Sequence, residues 1–509
     1  MSSVNLISLL NRKQINNKYQ GLRWNSSLDV YTRLGSISSV PISQSAGNIN
    51  LPIQSQMLRC MVLDNETINY FVSSSDPLMK AGSTVSISGI TTSTSTYNLV
   101  NSSVNFITQG VVTGNVVRNS TNNKYAVING VSANTLSLSL DIITSGNTYQ
   151  IGNARYDGSD GQVMTQIPKF YYKQYINGFD NYWYISKYPL NDFTLHPAFI
   201  RDNVVVSYRY MGSFEGSMYV ASTSGMTTIA NIPVTSYVSG NELCSIAGTW
   251  PKTSESRMSF RSMATSRGTN WRQMDYYLLS AVQLLYLIEY ANFNSQSMIG
   301  AGRTNISVTS WIPNDGIGIT GLSIINNNGS GGVALGGTAG DMKDYMTYRG
   351  IENFYGNVWK FIDGITWDSS LNDSTSRIPV WVSGNKAYFN DNASTNMKLL
   401  VNATNIGVTN AGYVSNLENC VGFIPSAVGA SSTSKITDYY YQYSTNGGGW
   451  RVPLFGGVSS DGAAAGSFYL ASVFGWAYVG VGISARLWTG HREYGAHVSL
   501  MKSYLGPGF

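Results

Sequence analysis

One stretch governs what this chain can fold into. Residues 271–293, WRQMDYYLLSAVQLLYLIEYANF, carry apolar side chains at helical spacing, with Leu278, Val282, Leu285 and Ile288 or Glu289 marking the faces. A helix apolar over so much of its circumference has to be surrounded by protein, which makes it a core element and not a cofactor box. Asn270 is placed to cap its first turn, with Gln273 at the third position. The rest of the 509 residues must be arranged around this helix, and the length exceeds one typical core, so more than one domain is expected.

Most of the remaining sequence has the period of strands. From 83 to 151, Ser/Thr alternates with β-branched residues in STVSISGITT, NFITQGVVTGNVV and NTLSLSLDII, with turn signals between the runs. Removing this text joins DPLMKA to RYDGSDGQVM, two pieces that read as one loop. Residues 81–156 are therefore expected to be a small all-β module inserted into a larger domain of 21–80 and 157–509. Beyond it, GQVMTQIPKFYYKQYINGFDNYWYISKYPL holds two aromatic strands joined by a hairpin turn at Asn177 and Gly178. Residues 1–20 read as a short amphipathic helix, with Val4, Ile7, Leu9 and Leu10 apolar, suited to attachment or oligomerisation. After residue 300 the chain alternates short strands with long Gly/Asn/Ser loops such as 326–340.

Charge narrows the function. Only 12% of residues are charged, about half the usual share, while Gly reaches 52 and Tyr 34. Tyr offers large contact area at low entropy cost and Ser, Gly and Asn adapt their hydrogen bonds, a palette suited to binding surfaces. A net charge of +5 with no run of Lys or Arg gives no phosphate-tracking stripe, so no nucleic-acid partner is expected. Cys60, Cys244 and Cys420 are odd in number and far apart, which gives no disulfide framework and no metal knuckle; they read as buried small hydrophobes. The first residues, MSSVNLISLLNRKQ, hold a short apolar stretch without a basic region ahead of it or an Ala-x-Ala cleavage site, and no run of 18 apolar residues occurs, so neither export by a signal peptide nor membrane insertion is expected.

Catalytic constellations are thin. There is no GxSxG, and His196, His491 and His497 have no evident nucleophile partner. His196, in LHPAF, reads as a packed or capping residue, and His491 and His497, six apart, make a weak metal signal. Asp363, Asp368 and Asp438 are the carboxylates that would have to meet in space for glycosidic cleavage. In GNVWKF, residues 356–361, Gly356 and Asn357 allow the tight turn that sinks Trp359 into a core, where its N–H needs a partner. Last come GGGWRVPLFGG at 447–457, GSFYLAS and SARLW.

The order of these landmarks, a buried helix, then GNVWKF, then GGGWRVPLFGG with GSFYLAS and SARLW, resembles the C-type lectin fold in its formylglycine-generating-enzyme-like branch. Within that branch the chain is most similar to the variable proteins of diversity-generating retroelements and to phage tropism determinants. The segments IQSQMLRCMVLDNETINYF, GQVMTQIPKFYYK and LHPAFIRDN resemble tail-fibre proteins from phages of gut Bacteroidales. The resemblance implies an α+β C-type lectin fold interrupted by the small β-module. It also implies a homotrimeric receptor-binding protein of a virion tail, made in the host cytoplasm and assembled with other tail proteins, that adheres to a bacterial cell-surface glycan or protein. The enzyme branch works through a cysteine pair near the C-terminus, and none follows Cys420, so no catalysis is expected. The Glu-Pro-Asn and Trp-Asn-Asp calcium ligands of animal lectins are also missing; no metal and no cofactor are expected. In the variable proteins the stretch between GxF and GARL carries the ligand-facing side chains on a rigid scaffold. Carried over, the contact residues are Tyr469, Ala471, Ser472, Phe474, Trp476, Tyr478 and Val479, with His491, Arg492 and Tyr494 as neighbours. An aromatic run like this one reads equally as core or as trimer packing. Two other functions fit the same landmarks: a non-adhesive virion protein with a decorating domain, and a polysaccharide-cleaving tail spike.

Overall fold

The computed structural model describes residues 18–42, 44–84, 86–220, 225–226, 240–308, 316–324, 328–331, 344–369, 378–403, 411–442 and 449–491. The expected helix at 1–20 falls on residues that, up to 17, lie outside the described ones; Gln20 already begins a strand, Gln20–Asn25.

Three α-helices occur among the described residues: α1 (Arg257–Arg267), α2 (Tyr276–Tyr290) and α3 (Ser295–Ile299). α2 is the apolar stretch singled out above, and all its side chains but Tyr277 are buried. It starts five residues later than its periodicity suggests. Arg272–Gln273 is a strand paired with Leu487 and Trp488, and the helix is capped by Asp275, whose carboxylate accepts the Leu278 amide at 2.9 Å. Asn270 caps nothing; its carbonyl accepts Arg201 at 2.7 Å and its Oδ1 accepts Lys386 at 3.2 Å. Around α2 packs the largest core cluster, which includes Trp24, Trp183, Phe293, Phe423 and Phe468. Each fully buried Leu or Ile in it contributes about 1.5–3 kcal/mol.

The expected α+β class is overturned. Strands make up 38% of the described residues and helices 12%, so this is a β-rich protein of several sheets. Helical periodicity is confined to short stretches, whereas antiparallel pairing recruits residues from both ends of the chain. The six-stranded sheet shows this: its order is Arg272–Gln273, Leu487–His491, Tyr208–Gly212, Gln162–Pro168, Arg59–Val62 and Ile68–Phe71. A five-stranded sheet joins Gln20–Asn25 to the hairpin of Tyr171–Asn177 and Asp180–Ser186. That hairpin pairs Asn177 with Asp180, so its two turn residues are Gly178 and Phe179, one position beyond the expected pair.

Between Ile68–Phe71 and Gln162–Pro168, seven strands from Ile87–Ile90 to Thr148–Arg155 form a sheet of their own. Its two ends lie side by side: the Lys80 amide donates to Asn153 Oδ1 at 2.9 Å and the Ala154 amide to the Leu78 carbonyl at 3.0 Å. Gly152 makes this approach possible, since a Cβ there would overlap the Leu78 carbonyl. The sheet's core of Leu99, Phe106, Ile128, Leu136 and Ile151 is completed by Ile319 and Leu322, distant in the sequence. A further cluster joins Val116, Val127 and Ala154 to Met61, Val163 and Phe214. The segment is therefore seated on the rest of the chain by apolar contact.

Candidate functional site: the C-terminal aromatic loop

GNVWKF and SARLW meet in the core. Gly356 takes φ +75, and a Cβ there would stand 2.6 Å from the Arg303 carbonyl, which requires glycine at this turn. Next to it, the buried Lys360 ammonium pairs with Glu215 at 2.9 Å and donates to the Gly356 carbonyl at 2.8 Å; Asn357 also donates to Glu215. Burial lowers the Lys360 ammonium to about 8 against the opposing pull of Glu215. Arg486, fully buried, donates to the carbonyls of Gly212, Glu352 and Asn353. The Glu352 carboxylate accepts the amides of Gly321 and Ser323, and burial pushes it up to about 7. Paired and hydrogen-bonded in this way, the charges make a stiff polar floor.

On this floor lies a seven-stranded sheet, with Leu470–Ala471 between Tyr439–Tyr441 and Leu454–Phe455, and with Trp359–Phe361 pairing Ile483–Ser484 at one edge. The half-buried Trp359 donates its indole N–H to Asp461 at 3.1 Å and to the Tyr469 hydroxyl at 3.0 Å. Burial raises the Asp461 carboxyl to about 6 even though the Val458 amide, Trp359 and Tyr469 hydrogen-bond it. From Tyr469 a row of rings runs across the sheet through Tyr441 (5.8 Å), Tyr439 (4.3 Å) and Tyr413 (5.1 Å).

Residues 472–482 connect Leu470–Ala471 to Ile483–Ser484 and are fastened along their length. The Val452 amide donates to Phe474 at 3.1 Å, Gly475 bridges to Arg451, the Tyr478 amide closes a turn on Gly475, the Ser254 amide donates to Gly480 at 3.1 Å and the Trp359 amide to Gly482 at 2.9 Å. Phe474 and Tyr478 stack with ring centres 3.9 Å apart. The crest is apolar and open: Trp476 is 42% exposed, Tyr478 41%, Val479 53% and Val481 43%. Solvent-exposed rings held by a tied backbone present large contact area with little left to order on binding.

The residues expected to contact a ligand divide. Trp476, Tyr478 and Val479 are exposed on one loop, and Phe474 is half-buried behind them. Tyr469, Ala471 and Ser472 are buried and point into the core, a correction that follows from the interior position of their strand in the sheet. His491 belongs to a different sheet, opposite Tyr208, and Arg492 and Tyr494 lie outside the described residues, as does His497. Sequence reading missed Val481, Asp461 and the tyrosine row; the run of adjacent tyrosines at 439–441 was the signal for the row.

The carboxylates weighed for sugar cleavage are largely sealed. Burial alone would raise the Asp363 carboxyl, but the Arg261 fork, at 2.8 and 2.7 Å, and Arg257 hold it below the usual range. Asp438 is buried, accepts the Phe468 amide, and is pushed well above the carboxylate range by burial. His196 is buried against Phe170, Tyr172 and Phe199, and its Nδ1 accepts the Ala198 amide at 3.3 Å. The three cysteines are buried and free of disulfides. No group of three or more metal-ligating side chains is gathered among the described residues.

No protein-family model matches this chain, and no curated protein matches it significantly.

Proposed function

We propose that this chain is a receptor-binding protein of a phage tail that adheres to a glycan or protein on a bacterial surface through loop 472–482 and performs no chemistry on it. The observation that carries the reading is the crest of Trp476, Tyr478, Val479 and Val481, exposed together on a loop tied to Val452, Arg451, Ser254 and Trp359. Aromatic residues of this kind dominate binding energy where they are buried by a partner. Homotrimeric assembly on the tail belongs to the same reading and would multiply weak single-site affinities into firm adhesion.

The test is binding of the purified protein, and its competition with phage adsorption, on a panel of Bacteroidales cell envelopes. Adhesion that falls at least tenfold in Trp476→Ala/Tyr478→Ala, with unchanged thermal unfolding, supports the proposal. A protein that binds no envelope is left as a tail structural component, and release of reducing ends from capsule would make it a depolymerase; either result sinks the proposal.

A further inference from the structure

A concavity of about 300 Å³ opens beside α2 between the hairpin of Ile200–Arg201 and Val204–Val205 and the segment 382–398. Its size is at the lower end for small-ligand pockets. Two tyrosines line it, the half-buried Tyr277 and the exposed Tyr388, together with Asn203, Asn385, Asn396 and Lys398. The Tyr277 hydroxyl makes no hydrogen bond among the described residues, and Lys398 makes no ion pair among them. Asn385 spends its Oδ1 on the Ala387 amide, which leaves its Nδ2 as a donor. The neighbouring carboxylate, Asp202, is already taken by Lys386 at 3.5 Å and Arg201 at 3.9 Å, and no carboxylate among the described residues lines the cavity itself.

This lining has a specific chemistry. Rings offer apolar contact to the C–H face of a pyranose, amides offer paired donors and acceptors to its hydroxyls, and one unmatched cation calls for one anionic group. We propose that the cavity binds a single acidic sugar residue, a hexuronate, of a surface polysaccharide, with its ring against Tyr277 and Tyr388 and its carboxylate on Lys398. The source of that polysaccharide rests on the adhesin reading; the ligand chemistry does not.

Gly384 supplies the decisive variants. It borders the cavity, and a Cβ on it would meet the Ile200 carbonyl at 3.4 Å and the Tyr277 ring at 3.6 Å, which are ordinary contacts. Gly384→Ala is thus tolerated, whereas Gly384→Phe fills the space. Calorimetric titration of the full chain with oligoglucuronate should show binding that drops at least tenfold in Gly384→Phe and in Lys398→Glu, and that is unchanged in Gly384→Ala. Thermal unfolding verifies that each variant is folded, and the exposed Lys398 is the variant least able to disturb the fold. Equal binding of a neutral gluco-oligosaccharide or of a glutamate hexapeptide, or undiminished binding in Gly384→Phe, overturns the inference. Envelope adhesion without oligoglucuronate binding overturns it and leaves the adhesin reading standing; oligoglucuronate binding by a chain that adheres to no envelope does the reverse.

Discussion

Trp359 and Trp476 lie within one site and carry opposite loads. Trp359 serves Asp461 and Tyr469 through its N–H, so Trp359→Phe keeps most of the ring but removes one donor from a cluster that Val458 and Tyr469 still hold, at an expected cost of about 1 kcal/mol in urea unfolding. Trp476 is open to solvent, and Trp476→Ala should stay within about 0.5 kcal/mol of wild type in the same measurement. Two single groups set opposing pH dependences. Burial, assisted by Arg209, lowers His196 to about 3 from an ordinary 6.5, so the stability it confers is complete above about 6.5 and is lost as pH falls towards 3. Asp461 is raised to about 6 from 3.8, so the folded state retains a proton that the unfolded chain has released, and stability is lost as pH rises from about 4 to 6. The stability deficit of His196→Asn should therefore narrow from pH 7 to pH 4, while Asp461→Asn should gain on wild type from pH 4 to pH 7, both read from urea midpoints. The role of His196 was legible because a histidine before proline invites a cap. Asp461 was not, because in GVSSDGAAAG it reads as an ordinary turn residue, and its long-range partner Trp359 lies 102 positions earlier.

α1 escaped sequence reading for a definite reason. Its buried face, Arg257, Phe260, Met263, Ala264 and Arg267, has helical spacing, but two of the five are arginines and count as polar in any periodicity. They are buried because acids meet them there: Arg257 and Arg261 share Asp391, Arg261 grips Asp363, and Arg267 reaches Asp64 and Glu242. Asp363→Ala leaves Arg257 and Arg261 with Asp391 as their one shared carboxylate and should cost about 3 kcal/mol in denaturant titration. α2 was legible as an element but not at its boundary. Asp275 both caps it and pairs with Arg209 at 2.5 Å, so Asp275→Asn should retain the cap and lose the ion pair, whereas Asp275→Ala should lose both. The expected order of thermal midpoints is wild type, then Asn, then Ala, with about 1 kcal/mol between the two variants.

At the scale of the molecule, the segment between Lys80 and Asn153 shares its apolar contacts with Met61, Val163, Ile319 and Leu322. Cutting it out and closing the short gap should expose that surface, with increased binding of a hydrophobic dye and a broadened thermal transition in circular dichroism; an unchanged transition would mean the shared clusters contribute little. Local matters were legible in the sequence: that residues near 276–290 form a buried helix, that 83–151 and 162–186 form strands, and that GNVWKF makes a tight turn, although Trp359, expected to sink into a core, stays half-buried against it. These follow from periodicity and turn chemistry, which act over a few residues. The sequence did not determine the fold class, because the six-stranded sheet takes strands from residues 59 to 491 and such pairing leaves no local trace. Nor did it separate Tyr469, Ala471 and Ser472, which face the core, from Trp476, Tyr478 and Val479, which face solvent. The same residue types serve both roles, and only the position of a strand inside the sheet, with the loop rising from its end, decides which rings remain open to a partner.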